Sequence, residues 1–541
     1  MQREARILVV DDDEVIISII TNILKRNDYR TDHCYSGEIA LQKIADNSYD
    51  LVLLDVQMGT GLDGYATCKL MHQYQPDLPV ILVTANHDDA SVNRGFESGS
   101  SDFIKKPVSR LELLARVNNI ITLKRSEMRN LQLIDALRKD LSTAAIIQQA
   151  MLPKWVFLDN NMLFSSYYEA CEAVGGDLFD RIKLDDNKYV VYIGDVSGHG
   201  VQAALLMSAI KSSIKLMIEA HKDTKTLAEL FTKLNERFYQ DLFLRNNYLT
   251  LLMGVIDLEM QEFRYLSAGH PPLIVIDSLT NDITIHDTKG SVPMGWMAHT
   301  NYSEDDIGHF PLSASDIFLI FTDGIYECSN PQNEQLGIAG LTDLIKNKLD
   351  IDSCISMPYK IKHCLMANNY ETSADDFSLF AFQMHAISPA KTSNLPEAKE
   401  KRVKHHRIIL RSALKEVGKT ALECEKLILD WTMDSLLAAK VELIVDEFLN
   451  NIIIYGYNYQ EDAEIVMEFM INSQKLSIRF WDTGIEWVPE NYTYNIDYPY
   501  DFELDGLQSS GRGIRIIMSM SNHFVRVRYA NLNETTVEIS L

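Results

Sequence analysis

The chain is short of positive charge: 51 Lys and Arg stand against 76 Asp and Glu, a formal charge of −25 over 541 residues with an isoelectric point near 5.0. Nucleic-acid binding rests on clustered cations that neutralise phosphates, so a DNA-binding output domain is not expected. Basic runs such as Lys399 to Arg407 are short and read as linker. Cysteine is sparse too. Cys34, Cys68, Cys171, Cys328, Cys354, Cys364 and Cys424 form no CxxC pair and no regular spacing, which argues for reduced thiols in the cytoplasm over disulfides or zinc. No apolar run approaches the roughly 20 residues that span a bilayer, and the polar Met1 to Arg6 leads straight into a strand-like run, so no membrane association is expected. The length calls for three or more domains.

Against these absences stand four aspartates, each at the end of an apolar run beside small or turn-forming residues. Asp177 lies in Glu172-Ala173-Val174-Gly175-Gly176-Asp177-Leu178-Phe179-Asp180, and Asp195 follows Tyr189 to Ile193 in Gly194-Asp195-Val196-Ser197-Gly198-His199-Gly200. Asp323 ends the run Ile317 to Phe321 as Thr322-Asp323-Gly324, and Asp375 opens Asp375-Asp376-Phe377-Ser378. A single Asp-Gly after a strand is ordinarily a turn. Two carboxylates ~4 Å apart repel by roughly 4 kcal/mol at an effective dielectric near 20, so four converging ones need cations. Oxygen ligands suit Mg²⁺ or Mn²⁺. Two such ions can activate water and clamp a phosphoryl group, and the implied reaction is phosphate ester hydrolysis.

In that order GGDxxD, GDVSGHG, TDG and DDxS resemble the metal-dependent PPM/PP2C-type serine/threonine phosphatases, in the SpoIIE/RsbU-like bacterial branch that acts on anti-anti-sigma factors. The resemblance covers about residues 151 to 384. It implies that Asp177 and Asp195 bridge or flank two Mn²⁺ or Mg²⁺ ions, that the Val196 carbonyl supplies a further oxygen, and that Asp323 and Asp375 complete the site. Asp180 and Asp376 lie near it. His199, between two glycines, is open to two readings, a turn residue or a general acid. Ala268-Gly269-His270-Pro271-Pro272 also matches the family and is expected to shape the chain between strands.

Residues 1 to 122 alternate short apolar runs with helical periodicity, which predicts buried parallel strands joined by helices. Ligands bind at the carboxyl ends of such strands. Those ends carry Asp11-Asp12-Asp13, Asp55, Thr84 and Lys105-Lys106-Pro107. Three carboxylates suit one Mg²⁺ and leave one of them as nucleophile, while a Thr hydroxyl and a Lys ammonium can hold phosphoryl oxygens. The set resembles the receiver domain of two-component response regulators, which implies phosphorylation of Asp55, Mg²⁺ on Asp11, Asp12 and Asp55, Thr84 as switch hydroxyl, Phe103 as switch aromatic, and Lys106 in preference to Lys105. The loop Val56 to Gly64 departs from the family: it lacks the usual Pro and is one residue longer.

From Leu123 to Met151 there is neither Gly nor Pro, and Ile134, Leu137, Leu141 and Ala144 recur at three and four residues, which predicts one long connecting helix with an apolar seam. The segment Ile146 to Pro153 resembles the start of the phosphatase domain in the same branch. Residues 387 to 403 read as a second linker. Beyond it, Ser435 to Ile454 has a helical pattern with Glu447 and Asn451 four apart on one face. Phe480-Trp481-Asp482-Thr483-Gly484 ends a strand and Gly511-Arg512-Gly513 opens a helix. An Asn amide oxygen can hold Mg²⁺, an Asp can accept from the adenine amino group, and glycines at a helix N-terminus let backbone amides approach phosphates. The set resembles the RsbW-like anti-sigma serine kinases, relatives of histidine kinases, over about residues 404 to 541. It implies ATP and Mg²⁺ on Asn451, Asp482, Gly484, Gly511 and Gly513, with Glu447 as general base. Glu486 stands where a second glycine is usual, and the lid segment Trp487 to Ser510 is long, acidic and rich in Tyr. His405 and His406 are expected to be solvated in the basic linker.

The expected fold is therefore multidomain α/β and α+β: a flavodoxin-like receiver (1–122), a linker helix (123–152), a PP2C-like β-sandwich flanked by helices (153–386), a linker (387–403) and a GHKL-type α/β sandwich (404–541). The order resembles that of the HsbR-type response regulators of partner-switching pathways. The resemblance implies a STAS-domain anti-anti-sigma substrate, phosphorylated by the C-terminal domain and dephosphorylated by the central one under control of Asp55. It also implies an upstream histidine kinase or phosphotransfer protein, a sigma or anti-sigma factor as a further partner, and a homodimer through the linker helix. The competing reading keeps the phosphatase and makes the C-terminal domain a non-catalytic scaffold. A hybrid histidine kinase using His405 or His406 is the third.

Overall fold

The computed structural model describes residues 4–541 except 60, 86–93, 96, 160, 221–225, 241–246, 288–291, 352, 371–374, 386–402 and 487–511, and the side chain of Arg512 is also outside the description. The chain divides into two units, residues 1–140 and 141–541.

In the first unit, five short strands, β1 (Arg6–Val10), β2 (Arg30–Cys34), β3 (Leu51–Asp55), β4 (Val80–Thr84) and β5 (Asp102–Lys105), form a parallel sheet in the order β2-β1-β3-β4-β5. β1, β3 and β4 are apolar throughout because helices cover both faces of such a sheet. Leu8, Val52 and Leu54 face one apolar cluster, Ile7, Val9, Leu51 and Leu53 the other. This flavodoxin-like order brings the carboxyl ends of β1 and β3 side by side, and with them Asp11 and Asp55.

The connecting helix is longer than the expected Leu123 to Met151. It runs unbroken over Arg110–Met151, so the last receiver helix and the connector are one element. Leu113, Val117 and Ile121 pack into the receiver core, whereas Leu123, Leu131, Ile134 and Leu137 are exposed.

The second unit begins with a sandwich of two antiparallel sheets. One has the order β14-β11-β10-β9-β8, with β8 (Leu178–Lys183), β9 (Lys188–Val196), β10 (Leu249–Asp257), β11 (Glu262–Ala268) and β14 (Gly308–Pro311). The other has the order β13-β12-β15-β16-β7-β6, with β6 (Val156–Leu158), β7 (Met162–Glu169), β12 (Leu273–Asp277), β13 (Ile283–His286), β15 (Asp316–Phe321) and β16 (Phe377–Met384). Alternate residues of the facing strands fill the space between them, with Phe164, Phe263, Phe318, Phe380 and Phe382 in mutual ring contact. Helices Gly200–Ala220 and Leu227–Gln240 cover the first sheet. By length and composition the helix Gly200–Ala220 could cross a bilayer, contrary to the expectation that no run approaches that size. Met207, Ile210, Ile214 and Ile218 instead pack on the sheet, and Lys211 is buried.

The C-terminal sheet is antiparallel in the order β17-β18-β19-β21-β20, with β17 (Lys404–Arg411), β18 (Glu464–Ile471), β19 (Lys475–Asp482), β20 (His523–Tyr529) and β21 (Leu532–Ser540). Strand alternation sends Ile465, Met467, Ile478 and Phe480 toward the helices Leu414–Thr432, Ser435–Asn451 and Arg512–Met520. Val466, Trp481 and Leu532 point to the opposite face. They complete one apolar cluster with Cys354, Met357, Tyr359 and Ile361 of the sandwich domain. Lys154 pairs with Glu464, and Lys360 lies 3.8 Å from Glu534, across the same boundary. The two domains of this unit share a core.

His405 and His406 are not in a linker, although His406 is exposed as expected. They lie on β17, where His405 Nε2 is 2.8 Å from Glu468 Oε1 and Arg407 Nε donates to the same oxygen at 2.6 Å. Burial pushes the Glu468 carboxyl up, but Arg407, His405 and Arg479 overcome it and hold the group down at about 2. A carboxyl depressed on folding stabilises the fold above its ordinary range and loses that contribution as pH falls from about 4.5 to about 2. Glu468→Gln is therefore expected to cost ~3–5 kcal/mol at pH 7, read as a lowered urea midpoint, because Arg407 is left buried without its counter-charge. The variant should also lose less stability than the native chain between pH 5 and pH 2.

Candidate functional site

Three of the four aspartates converge at the open end of the sandwich. Asp195 ends β9, Asp323 follows β15 and Asp375 precedes β16, and each offers a carboxylate oxygen within 4.8 Å of the others. Asp195 Oδ1 and Asp323 Oδ1 are buried and, among the described residues, have no hydrogen-bond partner. Burial, and then the carboxylates of Asp323, Asp375 and Asp376, push Asp195 up to about 8. Burial likewise raises Asp323 and Asp375. Among the described residues no lysine or arginine pairs with Asp177, Asp195 or Asp323. Converging oxygens, two of them orphaned, fit divalent cations.

Asp177 sits behind this trio. It is buried, accepts from Thr322 Oγ1 at 2.8 Å, and is raised well above the usual range by burial and then by Asp195 and Asp376. The Thr of TDG and the Ser of DDxS thus act through Asp177, since the Ser378 N–H donates to Thr322 Oγ1 at 3.1 Å and Thr322 Oγ1 in turn donates to Asp177. Asp376 accepts from the backbone amides of Cys171 and Gly176 and so braces the loop before Asp177. A Cβ at Gly175 would stand 2.1 Å from Asp376 Oδ2, and one at Gly176 would stand 2.8 Å from the Val196 carbonyl oxygen, so only glycines admit this packing. The Val196 carbonyl thereby faces the Asp177 loop. Asp180 turns away to Lys211, 2.8 Å distant, and His270 is buried with Nδ1 3.0 Å from Thr250 Oγ1.

Two contributors escaped the motif reading. Gln148, buried near the end of Arg110–Met151, donates from Nε2 to the Gly175 carbonyl at 2.6 Å and accepts the Gly175 N–H on Oε1 at 3.1 Å. Its amide works like a strand edge against the metal loop. The signal is a Gln pair, Gln148-Gln149, between apolar residues five positions before Pro153, but nothing in the sequence names the partner of Gln148. Glu172 is the second, with Oε1 2.8 Å from His199 Nδ1.

In the receiver unit Asp11, Asp12 and Asp55 bring oxygens within 4.8 Å of one another. Lys106 Nζ lies 2.9 Å from Asp11 Oδ2 and 3.0 Å from Asp55 Oδ1. Burial and then Asp11 raise Asp55 to about 6 against the pull of Lys106. Asp12 Oδ2 accepts from Gly59 N at 2.9 Å, which anchors the lengthened loop. Thr84, buried at the end of β4, accepts the Lys106 N–H on its carbonyl, and Arg116 lies over the Phe103 ring. The three carboxylates suit one divalent cation.

In the C-terminal domain Glu447, Asn451 and Gly513 come together: a Cβ at Gly513 would meet Glu447 Oε2 at 2.4 Å and Asn451 Nδ2 at 3.0 Å. Asn451 Nδ2 is buried and, among the described residues, without a partner, which fits a polar ligand there. Gly511 and the lid segment lie outside the described residues. Asp482 is different. It is fully buried and accepts from Gly484 N at 3.0 Å, Asn533 Nδ2 at 2.7 Å and Arg526 at 3.1 Å. Glu447, Asn451 and Gly513 thus leave a polar position open, while Asp482, the residue expected to read a base, is already engaged by the chain.

Comparison with known proteins follows the same partition. Residues 7–118 match the response regulator receiver domain, 185–385 match Stage II sporulation protein E (SpoIIE), and 409–541 match the histidine kinase-like ATPase domain. The phosphoserine phosphatase RsbP of Bacillus subtilis is 27% identical over 191 residues, 35% of this chain and 46% of its own. The probable transcriptional regulator ycf27 of Cyanidium caldarium is 30% identical over 188 residues, 34% of this chain and 74% of its own. The chain spans about half the length of RsbP and of the Bacillus regulators YvrH and ResD that it also matches. Among solved structures, the RsbU and RsbW domains of Rv1364c from Mycobacterium tuberculosis align over 70% of this chain and 92% of theirs, at 18% identity and a TM-score of 0.36. The chain belongs to the response regulators, and within them joins a receiver to a SpoIIE-type phosphatase domain and a histidine-kinase-like ATPase domain.

Proposed function

We propose that this chain is a cytoplasmic partner-switching regulator whose central domain hydrolyses a phosphoserine or phosphothreonine on a STAS-domain anti-anti-sigma protein. The observation that carries the reading is the convergence of Asp195, Asp323 and Asp375 with buried, unpartnered oxygens. Two divalent ions, Mn²⁺ or Mg²⁺, held there with Asp177 and the Val196 carbonyl, would supply an activated water and neutralise the phosphoryl oxygens. Thr322, itself held by the Ser378 N–H, orients Asp177, while Asp376 and Gln148 hold its loop in register.

Phosphorylation of Asp55 by an upstream histidine kinase or phosphotransfer protein would bias this site through the continuous helix Arg110–Met151, whose exposed leucines also suit a homodimer. A switch from 1:99 to 99:1 needs ~5.5 kcal/mol of differential stabilisation. The C-terminal domain would phosphorylate the same serine, with Glu447 as base and ATP·Mg²⁺ on Asn451, Asp482, Gly484, Gly511 and Gly513. A second reading, in which that domain binds a sigma, anti-sigma or anti-anti-sigma factor without catalysis, is favoured by the closure of Asp482 under Arg526 and Asn533.

One assay tests the central claim: the chain, its STAS partner phosphorylated on serine, and Mn²⁺, with and without phosphorylation of Asp55. Asp195→Ala and Asp375→Ala should abolish release of phosphate, and retained hydrolysis would remove the site assignment. Gln148→Ala loses two hydrogen bonds worth ~1 kcal/mol each from the folded loop, so the thermal midpoint should fall and, with the loop slackened, the Mn²⁺ concentration for half-activation should rise. An unchanged Mn²⁺ curve would disconnect the helix from the metal loop. For the C-terminal domain, phosphoryl transfer from ATP to the partner's serine that disappears in Glu447→Ala supports the kinase reading. Partner binding without transfer supports the scaffold.

A further inference from the structure

The carboxylate trio accounts for a phosphoryl group but not for the side chains accepted beside it. Those side chains must cross the rim, and the register of β9 on β10 shows what they meet there. Asp195 stands opposite Thr250, and Ile193 opposite Leu252, one pair further in, faces the cluster between the sheets. Alternation keeps Ile193, Asp195, Leu252 and Thr250 on one side, whereas Leu249, Leu251 and Met253 pack under the covering helices. One step outward lies Tyr248, directly before β10. The Ser197 N–H donates to the Tyr248 carbonyl at 2.9 Å and the Tyr248 N–H returns to Ser197 Oγ at 2.9 Å, so pairing continues past the strand and turns Tyr248 to the side of Asp195. Two residues of extended chain, roughly 7 Å, separate Tyr248 from the level of that aspartate.

Tyr248 does not stand alone. Its ring meets that of Trp296 at a centroid distance of 5.0 Å, with 39° between the planes. Tyr248 is 37% exposed, and Trp296 and Met297 are 57% and 54% exposed. Apolar residues scattered singly over a surface are ordinary. Here the backbone that carries them is anchored from three directions. Leu249 and Met294 exchange backbone hydrogen bonds at 3.0 and 2.8 Å, and a Cβ at Gly269 would stand 2.6 Å from Pro293 Cγ. The fully buried Asn235 accepts the Gly295 N–H on Oδ1 at 2.8 Å and donates from Nδ2 to the Met297 carbonyl at 3.0 Å, so one amide grips the chain on both sides of Trp296. A buried polar group thus fixes a residue whose ring is mostly in solvent. Rigid aromatic rings give up little entropy on contact and serve as anchors in recognition.

We propose that Tyr248 and Trp296 form a shelf at the rim of the phosphatase centre that receives an apolar side chain within three residues of the phosphorylated serine or threonine, which makes them specificity-determining residues. The inference rests on the phosphatase reading of the central domain. Charge narrows the choice further. Two exposed carboxylates stand around the opening, Glu172 against the turn at Gly200 and Glu327 beside Asp323, so an Asp or Glu next to the phosphorylated residue is repelled. The substrate class is a phosphoprotein segment with an apolar residue close to the phosphate and no acidic neighbour.

The test uses the full chain with saturating Mn²⁺ and synthetic phosphoseryl peptides: one flanked only by glycine, and a set in which one position at a time within three residues of the phosphoserine carries Phe, Arg or Asp. Each is run with the native chain, Tyr248→Ala and Trp296→Ala. Tyr248 holds Ser197 through backbone atoms, so its truncation keeps those bonds. At one position Phe should raise kcat/KM roughly 10-fold over the glycine peptide, chiefly through KM, and Asp should lower it. Trp296→Ala should cancel most of that gain and Tyr248→Ala a large part of it. No gain from Phe at any position, a larger gain from Arg, a gain that survives both truncations, or truncations that slow the glycine and Phe peptides alike would each overturn the assignment. Absence of phosphate release by the native chain from every peptide would instead bring down the phosphatase reading itself.

Discussion

Carboxylates that cannot move apart govern this molecule. Asp195, Asp323 and Asp375 hold oxygens within 4.8 Å, and at an effective dielectric near 20 each such contact costs roughly 4 kcal/mol. The surroundings offer a hydroxyl and backbone amides rather than cations: Thr322 to Asp177, Cys171 and Gly176 to Asp376. Neutral donors orient a carboxylate without cancelling its charge, so the field stays available for ions from solution. The receiver solves the same problem differently. Lys106 bridges Asp11 and Asp55, which leaves charge for one cation rather than two.

Keeping like charges close requires loops that cannot relax, and most of the bonding around the site serves that end. Gly175 and Gly176 allow the Asp177 loop to lie against Asp376 and Val196, and Gln148 closes it with a paired amide. Gln148 stands on an element that starts at Arg110, so the loop's register depends on a helix rooted outside the sandwich. Lys211 ties the covering helix to Asp180 and to the Phe179 carbonyl, which fixes a second approach to the same loop.

Much of this was legible because strand ends carry their chemistry in short words. The runs before Asp11, Asp55, Asp195 and Asp323 are apolar and bounded by turn residues, so strand, end and ligand could be read together. Contacts made across the fold could not. Gln148 and Glu172 act on residues 27 positions away, and no local pattern says which amide or ring they will meet. The start of the connecting helix is hidden in the sequence because the receiver's last helix and the connector differ in burial, not in helical character. β17 hides its strand character in the sequence for a related reason. Lys404, His405, His406 and Arg407 are polar as words, and only the buried Glu468 of the neighbouring strand makes them part of a sheet.

The shared core of Trp481, Val466 and Leu532 with Cys354, Met357 and Tyr359 joins the phosphatase domain and the ATPase domain into one body. Separating them would bare a face of the sheet that holds Trp481 and leave Lys360 and Glu534 without each other. Two domains that are made and kept together are always present one to one. Where two such domains reside on separate proteins, their ratio drifts with expression and copy number. Here gene dosage scales both alike, and every molecule carries them in the same ratio and the same mutual orientation.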